Sequence, residues 1–211
     1  MGGGDYRKDE NEEIDNYILK KAGINSILTF IPFATKEKEK REKRIKAIIN
    51  CYSAKGLNHF KILDEDLMSP EEMGTIIKQS DILFLIGGDP KELLYTLRKY
   101  DLDTEICSYS GILVGFSAGG MILSKKCIIP GKIDECYPET VILDGLGILD
   151  NSFIPHYRQI HDPLLEGLSE SQDIFLGENS SAIIIDETLQ EIKTIGKIFL
   201  LSKNLKKPQY N

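Results

Sequence analysis

The segment Gly-Phe-Ser-Ala-Gly at residues 115–119 has the residue types and spacing of a nucleophile turn. It follows the apolar run 112–114 and leads into residues 120–123, which favour a helix. Such a turn is so sharp that the serine takes strained backbone angles, and flanking side chains would collide with the adjoining strand and helix. The pattern predicts Ser117 Oγ at a strand's carboxyl end, with the Ala118 N–H able to face a developing oxyanion. A tightly packed glycine-rich turn without chemistry explains these five residues equally well.

A serine nucleophile needs a base within hydrogen-bond reach, and the chain has three histidines. His156 follows a predicted strand at 153–154, and the carboxyl ends of parallel strands are where ligands gather. His59 precedes a strand remote from the serine in sequence, and His161 is expected to be solvated or to cap a turn. Any one of these histidines is more often a structural residue with its hydrogen bonds satisfied than a catalytic one. The position of His156 at a strand end favours it as the base.

The base in turn needs an orienting partner, and four candidate acids lie between Ser117 and His156. Asp134 and Glu135 occupy a predicted loop. Asp144 and Asp150 are each close to a glycine-containing turn, where local backbone hydrogen bonds account for an acid. A solvated loop carboxylate is the simpler interpretation of all four.

The pair Gly87-Gly88 ends the predicted strand 81–86 and is a candidate for the second oxyanion donor. Glycines at a strand end let backbone N–H groups approach a substrate closely. A simple tight turn between strand and helix explains the pair equally well.

Strands and helices alternate along the first half of the chain. Strands are predicted at 27–33, 60–63, 81–86 and 111–116, and helices at 14–22, 36–54, from Ser69 onward and at 92–100. This alternation predicts βαβ units with right-handed crossovers, hence an α/β three-layer sandwich with a mainly parallel central sheet and helices on both faces. The short strands predicted beyond residue 122 are expected to extend the same sheet in mixed or antiparallel fashion.

The chain of 211 residues contains no linker, repeat or low-complexity tract, so a single domain over 1–211 is expected, with a polar tail at 203–211 that frays. Glycines 2–4 precede a helix, and in α/β proteins such a cluster normally follows a strand. We expect that this strand has been lost or that the true start lies upstream. The triplet lacks the spacing of a phosphate-binding loop.

The formal net charge of −7 argues against a nucleic-acid partner. The basic residues at 36–46 alternate with Glu37, Glu39 and Glu42, which indicates a solvated helix face with ion pairs. The four cysteines show no C-x-x-C pair, no histidine stands at metal-ligand spacing, and no apolar leader or membrane-length run is present. The expectation is a cytoplasmic protein with reduced thiols and neither metal nor organic cofactor.

Taken together, these motifs resemble the peptidase E and cyanophycinase family of serine peptidases, whose fold is similar to that of class I glutamine amidotransferases. The matching segments are residues 30–34, 85–89, 115–119, 145–149, 154–157 and 177–182, and the resemblance spans about 24–186. It implies hydrolysis of small peptides or isopeptide-like amides that carry aspartate, through an acyl-enzyme.

Carried over by position, the resemblance implies Ser117 as nucleophile and His156 as general base, with the N–H groups of Gly88 and Ala118 as oxyanion hole. The triad acid aligns at Asp134, with Glu135 beside it, and the family uses either acid type.

Asp89 and Arg158 are the expected substrate-binding residues, Arg158 being the nearest cation for an acidic substrate. The region after His156 lacks the arginine-containing segment associated with a preference for N-terminal aspartate, so the dipeptide specificity stays open. The expected partner is a small peptide, with no nucleic acid and no membrane. A homodimer is compatible with the sequence, which does not fix the oligomeric state.

Two other functions fit parts of the pattern. An α/β-hydrolase-type esterase shares G-x-S-x-G and the chain order, but too few residues separate Ser117 from His156 for the usual intervening elements. A catalytically silent family member would keep the fold and act in ligand binding.

Overall fold

The structure is a computed structural model that describes residues 1–131, 137–157, 163–169, 171–186, 191–202 and 205–210. The chain divides into two units, one of residues 5–119 and one of residues 1–4 with 120–211. No helix in the described ranges is both long enough and apolar enough to cross a membrane.

Residues 5–119 form a parallel sheet and its flanking helices. In chain order they are a 3-10 helix (Tyr6–Lys8), α1 (Glu12–Ala22), β1 (Ile27–Ile31), α2 (Lys38–Ala54), β2 (His59–Ile62), α3 (Pro70–Lys78), β3 (Ile82–Leu85), α4 (Pro90–Lys99), α5 (Leu102–Cys107) and β4 (Ile112–Gly115). The strand order is β2-β1-β3-β4, and every pairing is parallel. The predicted α/β fold with a parallel central sheet is confirmed.

The strand order fixes which face each helix covers. The β1–β2 connection runs in the opposite direction to the β2–β3 and β3–β4 connections, so right-handed crossovers place α2 on one face and α3, α4 and α5 on the other. In agreement, α2 contacts the 3-10 helix, whereas α3 and α4 each contact α5. All four residues of β3 are buried, as expected for a strand covered on both faces.

Local sequence signals set the helix boundaries as predicted. At the start of α3 the Ser69 hydroxyl accepts from the Glu72 N–H (3.2 Å), while the Ser69 N–H donates to the Glu72 carboxylate (2.8 Å). Pro70 occupies the first turn, where its missing N–H is not needed. Along the charged face of α2, Lys43 pairs with Glu39 at 2.7 Å.

A buried carboxylate joins α1 to α2. Asp15 is fully buried, and its Oδ1 accepts hydrogen bonds from the Tyr52 hydroxyl at 2.8 Å and the Tyr6 hydroxyl at 3.2 Å. Burial raises the pKa of Asp15 from the usual 3.8 to about 6, although the two tyrosine hydrogen bonds act in the opposite direction. Protonation of this group is therefore coupled to folding.

Asp15→Asn is expected to flatten the dependence of stability on pH. Because the folded pKa lies above the unfolded one, Asp15 favours folding most below about pH 4 and loses that contribution as the pH rises through 6. The change from pH 4 to 8 amounts to about 2 kcal/mol. Asparagine retains the acceptor for both tyrosines and does not ionise. Urea unfolding at several pH values should show the variant gaining on the wild type between pH 4 and 8.

Asp9→Asn is the matched control, because the pKa of Asp9 is shifted in the opposite direction to that of Asp15. The Asp9 carboxylate accepts from the Cys51 thiol (2.7 Å) and pairs with Lys55 (2.8 Å), and these contacts lower its pKa. Its contribution to stability is present at neutral pH and is lost as the pH falls, so this variant should lose stability at pH 7. If the free energy of unfolding depended on pH equally in wild type and Asp15→Asn, the raised pKa of Asp15 would be contradicted.

The second unit contains short strands in three sheets. After α6 (Ala118–Ile122) come β5 (Lys126–Ile129), β6 (Val141–Asp144), β7 (Ser152–Ile154), α7 (Pro163–Ser169), β8 (Ile174–Gly177), β9 (Ala182–Asp186), β10 (Glu191–Ile195), β11 (Ile198–Ser202) and β12 (Leu205–Tyr210). The sheets are β12-β11-β8-β7, β5-β6 and β9-β10. One core cluster comprises Ile128, Ile154, Leu165, Ile174, Leu176 and Phe199.

The later strands pair in mixed and antiparallel fashion, as expected, but the expectation that they extend the sheet of residues 5–119 is wrong, since the described strands form separate sheets. β5 pairs antiparallel with β6, and β9 pairs antiparallel with β10, so partners close in sequence are satisfied locally, where loop closure costs least. Strand β12 lies in the tail for which fraying is expected, and it pairs antiparallel with β11.

Candidate active site

Ser117 stands between the end of β4 and the start of α6, with a backbone φ of 53°. This left-handed conformation is uncommon for a residue other than glycine and marks local strain. Gly119 must lack a side chain, because a Cβ there would collide with the carbonyl oxygen of Leu85 in β3. A strained serine at a strand's carboxyl end, with an obligatory glycine two residues later, matches the geometry that the sequence predicts.

The residue before the serine is held by an aromatic cluster. The Phe116 ring lies 5.5 Å from that of Tyr6 and 6.1 Å from that of Phe84, measured between centroids. The Phe116 N–H also donates to the Leu85 carbonyl at 3.0 Å. Ring pairs at these separations attract one another, so the cluster fixes the backbone that enters the serine turn.

The loop after β3 packs directly against the serine turn. A Cβ on Gly87 would lie 3.0 Å from Ser117 Cβ and 3.1 Å from the Phe116 carbonyl oxygen. Gly88 has φ of 157°, and a Cβ there would collide with the Ala34 carbonyl oxygen. Gly88 is therefore required by close backbone approach, and a side chain on Gly87 would crowd the serine turn.

Two backbone donors near Ser117 lack acceptors. Within the described ranges, neither the N–H of Gly88 nor that of Ala118 donates to any group. Gly88 is exposed. Ala118 is the first residue of α6 and directly follows the serine. Unpaired N–H groups next to a serine are the donors that an oxyanion hole needs.

Asp89, a predicted substrate-binding residue, forms the N-cap of α4. Its carboxylate accepts from the Lys91 N–H at 2.8 Å and the Glu92 N–H at 3.4 Å, and its own N–H donates to the Ala34 carbonyl at 2.7 Å. These contacts anchor the loop that carries Gly88. A contact from Asp89 to substrate stays a prediction.

His156 lies in the other unit, two residues beyond the end of β7, with a left-handed φ of 56°. Its side chain is exposed, and Nδ1 lies 2.7 Å from Oδ1 of Asn179. Asn179 follows β8, which is the parallel neighbour of β7, so the sheet register brings the two loops together. An amide oxygen can only accept, hence Nδ1 is the donor in this contact, and Nε2 is the ring nitrogen on the side away from Asn179.

The N-terminal glycines pack directly against this histidine. The His156 N–H donates to the Gly2 carbonyl at 3.1 Å, and the Ser180 N–H donates to the Gly3 carbonyl at 2.9 Å. A Cβ on Gly3 would collide with the imidazole ring, and Gly3 has φ of 110°. The glycine cluster therefore lets the backbone approach the histidine ring, a role that its sequence does not suggest.

The remaining candidates are placed differently. Asp134, Glu135, Arg158 and His161 lie outside the described residues. Asp144 pairs with Lys126 across the β5-β6 ladder at 2.7 Å, Asp150 is exposed, and His59 is exposed at the start of β2 in the first unit.

One cluster in the described part of the chain has donors close enough for a metal: Asp9, Asp15 and Cys51, whose ligand atoms lie within 4.8 Å of one another. Lys55 Nζ already donates to the Asp9 carboxylate at 2.8 and 3.0 Å and to Cys51 Sγ at 3.4 Å. Burial raises the pKa of Cys51 to about 12, so the sulfur is a neutral thiol. The chemistry of this donor set fits a lysine ammonium better than a metal ion.

Two side chains that contact the candidate residues, Arg44 and Asn179, could not be identified from the sequence. Arg44 of α2 lies in the stretch interpreted as a solvated charged face, yet its guanidinium is half-buried against the Gly87 loop. Asn179 lies in the matching segment 177–182, for which the sequence pattern indicates no role beside His156. Composition gave no signal for either contact.

The comparisons with known proteins agree with this fold. Residues 1–192 match the model of peptidase family S51, so the chain belongs to that family and is a serine-type peptidase. A putative peptidase E from Listeria monocytogenes EGD-e is similar in structure, with 22% identity, a TM-score of 0.71, and coverage of 92% of this chain and 95% of that one. A peptidase from an acI-B1 Actinobacterium shows 21% identity and a TM-score of 0.67, covering 100% and 91%. No curated protein sequence matches the chain.

Proposed function

We propose that the chain cleaves small peptides or isopeptide-like amides through an acyl-enzyme on Ser117, with aspartyl dipeptides as the leading substrate class. The observation that carries this proposal is the strained Ser117, whose φ of 53° coincides with two unpaired backbone donors, Gly88 N–H and Ala118 N–H. Backbone strain of this kind concentrates at functional sites.

In the proposed reaction Ser117 Oγ attacks the substrate carbonyl carbon while His156 Nε2 takes the hydroxyl proton. The resulting oxyanion accepts hydrogen bonds from Gly88 and Ala118, and collapse of the tetrahedral species breaks the C–N bond as His156 returns the proton to the leaving amine. Water then attacks the acyl-enzyme by the same route, which releases the acid and restores Ser117.

The group that orients His156 is part of the proposal. The 2.7 Å contact between Asn179 Oδ1 and His156 Nδ1 supports an amide in the orienting role, which serine and cysteine peptidases fill with either an acid or an amide. Asp134 and Glu135 stay predictions for a triad acid.

Preference for aspartate rests on the resemblance to peptidase E and on the similar structure from Listeria monocytogenes, which is described as a putative peptidase E. Arg158 is the proposed cation for the substrate carboxylate, and Asp89 is the proposed residue for the substrate amine.

The test is amine release from aspartyl and non-aspartyl dipeptides, combined with labelling by a fluorophosphonate and mass spectrometry of the adduct. We expect cleavage of aspartyl dipeptides and a single adduct on Ser117. Hydrolysis of p-nitrophenyl esters without amide cleavage would favour the esterase alternative. A folded protein that neither cleaves nor labels would favour the silent family member.

A further inference from the structure

The Arg44 guanidinium reaches from α2 to the loop that carries the proposed oxyanion donor. Its Nη1 donates to the Gly87 carbonyl oxygen at 2.8 Å and to the Thr35 hydroxyl at 2.9 Å. Arg44 is half-buried, and burial lowers its pKa. In the described part of the chain no carboxylate lies within ion-pair distance of it, and its side-chain hydrogen bonds are those to the Gly87 carbonyl and to the Thr35 hydroxyl in the segment after β1.

The bond to Gly87 determines where the next N–H points. The Gly87-Gly88 peptide is trans, so the Gly88 N–H is directed opposite to the Gly87 carbonyl. With that carbonyl bound to Arg44, the N–H faces away from Arg44, and it has no acceptor among the described residues. Since Gly88 is exposed, this donor is available to a ligand.

A peptide between two glycines has little steric preference for one orientation, because neither residue carries a Cβ that resists rotation. The flipped peptide would present the Gly87 carbonyl where the proposed oxyanion develops, and two negative oxygens would repel each other. The Asp89 N–H bond to the Ala34 carbonyl anchors the residue after this peptide, and the Arg44 bond to the Gly87 carbonyl acts on the peptide itself. A hydrogen bond from a charged donor to the carbonyl is among the stronger ones that a protein can supply.

We propose that Arg44 is a positioning residue that locks the Gly87-Gly88 peptide with its N–H toward the oxyanion. The inference rests on the proposed function, since it assigns Arg44 to the oxyanion hole of that reaction. Arg44 acts through the peptide and makes no contact with substrate in this role. Preorganised donors of this kind stabilise the transition state more than bound substrate, so kcat should respond rather than KM.

The test compares Arg44→Met and Arg44→Lys with Arg41→Met as a matched control. Arg41 lies one turn earlier on α2 and pairs with Glu65 at 2.9 Å, and among the described residues its side chain makes no hydrogen bond or ion pair with the glycine loop. The measurements are kcat and KM on the best dipeptide, the rate ratio between an ester and its thiono analogue, and thermal unfolding. In the thiono analogue sulfur replaces the carbonyl oxygen, and sulfur accepts hydrogen bonds poorly. The rate ratio therefore reports the hydrogen bonds that the oxyanion hole donates.

Arg44→Met is expected to lower kcat by about 10- to 100-fold, with KM within about twofold of wild type and a reduced ester-to-thionoester ratio. Arg44→Lys should give a kcat between those of wild type and Arg44→Met, because the shorter and flexible lysine keeps the charge and its N–H donors but lacks the fixed planar geometry of the guanidinium. This variant serves alone if the methionine variant does not fold. Arg41→Met should keep the wild-type kcat and ratio.

Two results would overturn the positioning role: wild-type kcat and ratio in a folded Arg44 variant, or a raised KM with unchanged kcat, which marks a substrate contact. Neither result touches the proposed function, which fails separately if turnover survives in Ser117→Ala. Turnover that does not depend on Ser117 would overturn both proposals.

Discussion

Ser117→Ala is expected to lower kcat by roughly 10⁴- to 10⁶-fold on any amide that the enzyme cleaves, with the fold intact. The reason is that acylation forms its new bond through Ser117 Oγ and deacylation acts on the ester so formed, whereas the oxyanion donors can only bind and polarise the carbonyl. The measurement is amine release under single-turnover conditions, with circular dichroism and thermal unfolding of the same sample. Ser110→Ala, a change at an exposed serine of the same unit, should leave turnover unchanged.

A second variant at the same position separates chemistry from folding. Ser117→Gly removes the hydroxyl and also relieves the left-handed strain, since glycine adopts φ of 53° without steric cost. It should abolish turnover while raising the free energy of unfolding by about 1 kcal/mol. Activity near wild type in either variant would refute the nucleophile assignment.

His156→Gln is expected to lower kcat by roughly 10³- to 10⁶-fold, because glutamine can occupy the space of the imidazole but cannot accept a proton at neutral pH. Groups that act as one unit show non-additive losses. The double variant of Ser117→Ala with His156→Gln should therefore lose little more than the worse single variant. His59→Gln, at an exposed histidine of the first unit, is the control and should retain full turnover.

Losses that multiply in the double variant would show that His156 and Ser117 act independently, which contradicts a shared proton transfer. Asn179→Ala should produce a smaller loss than His156→Gln, since it removes the 2.7 Å partner of Nδ1 but leaves the base in place. Asn179→Asp retains the acceptor and should recover most of that loss.

The sequence determined the features that depend on near neighbours along the chain. The Ser69–Glu72 capping box, the prolines that open α3 and α4, and the sharp turn at Ser117 all follow from local hydrogen bonding and sterics. Apolar runs alternating with amphipathic helices were also sufficient to predict the parallel sheet of residues 5–119. Each of these signals lies within a few residues of the structure that it specifies.

Pairing among the later strands could not be predicted in the same way. Strands β5, β8 and β12 were not predicted, and the strands beyond residue 122 were expected in the sheet of residues 5–119 rather than in separate sheets. Short apolar runs such as 174–177 specify burial but not a partner. Which edge a strand joins depends on contacts distant in sequence, and many pairings bury similar areas.

The hydrogen bonds that hold the candidate site residues were likewise decided by tertiary structure. Arg44 resembles any basic residue on a charged helix face until the crossover of α2 brings its guanidinium to the Gly87 carbonyl. Asn179 becomes the partner of His156 only because β7 and β8 are parallel neighbours. Sequence patterns identify residue types that can do chemistry at strand ends, whereas a hydrogen bond between distant segments exists only once the fold has set its distance and angle.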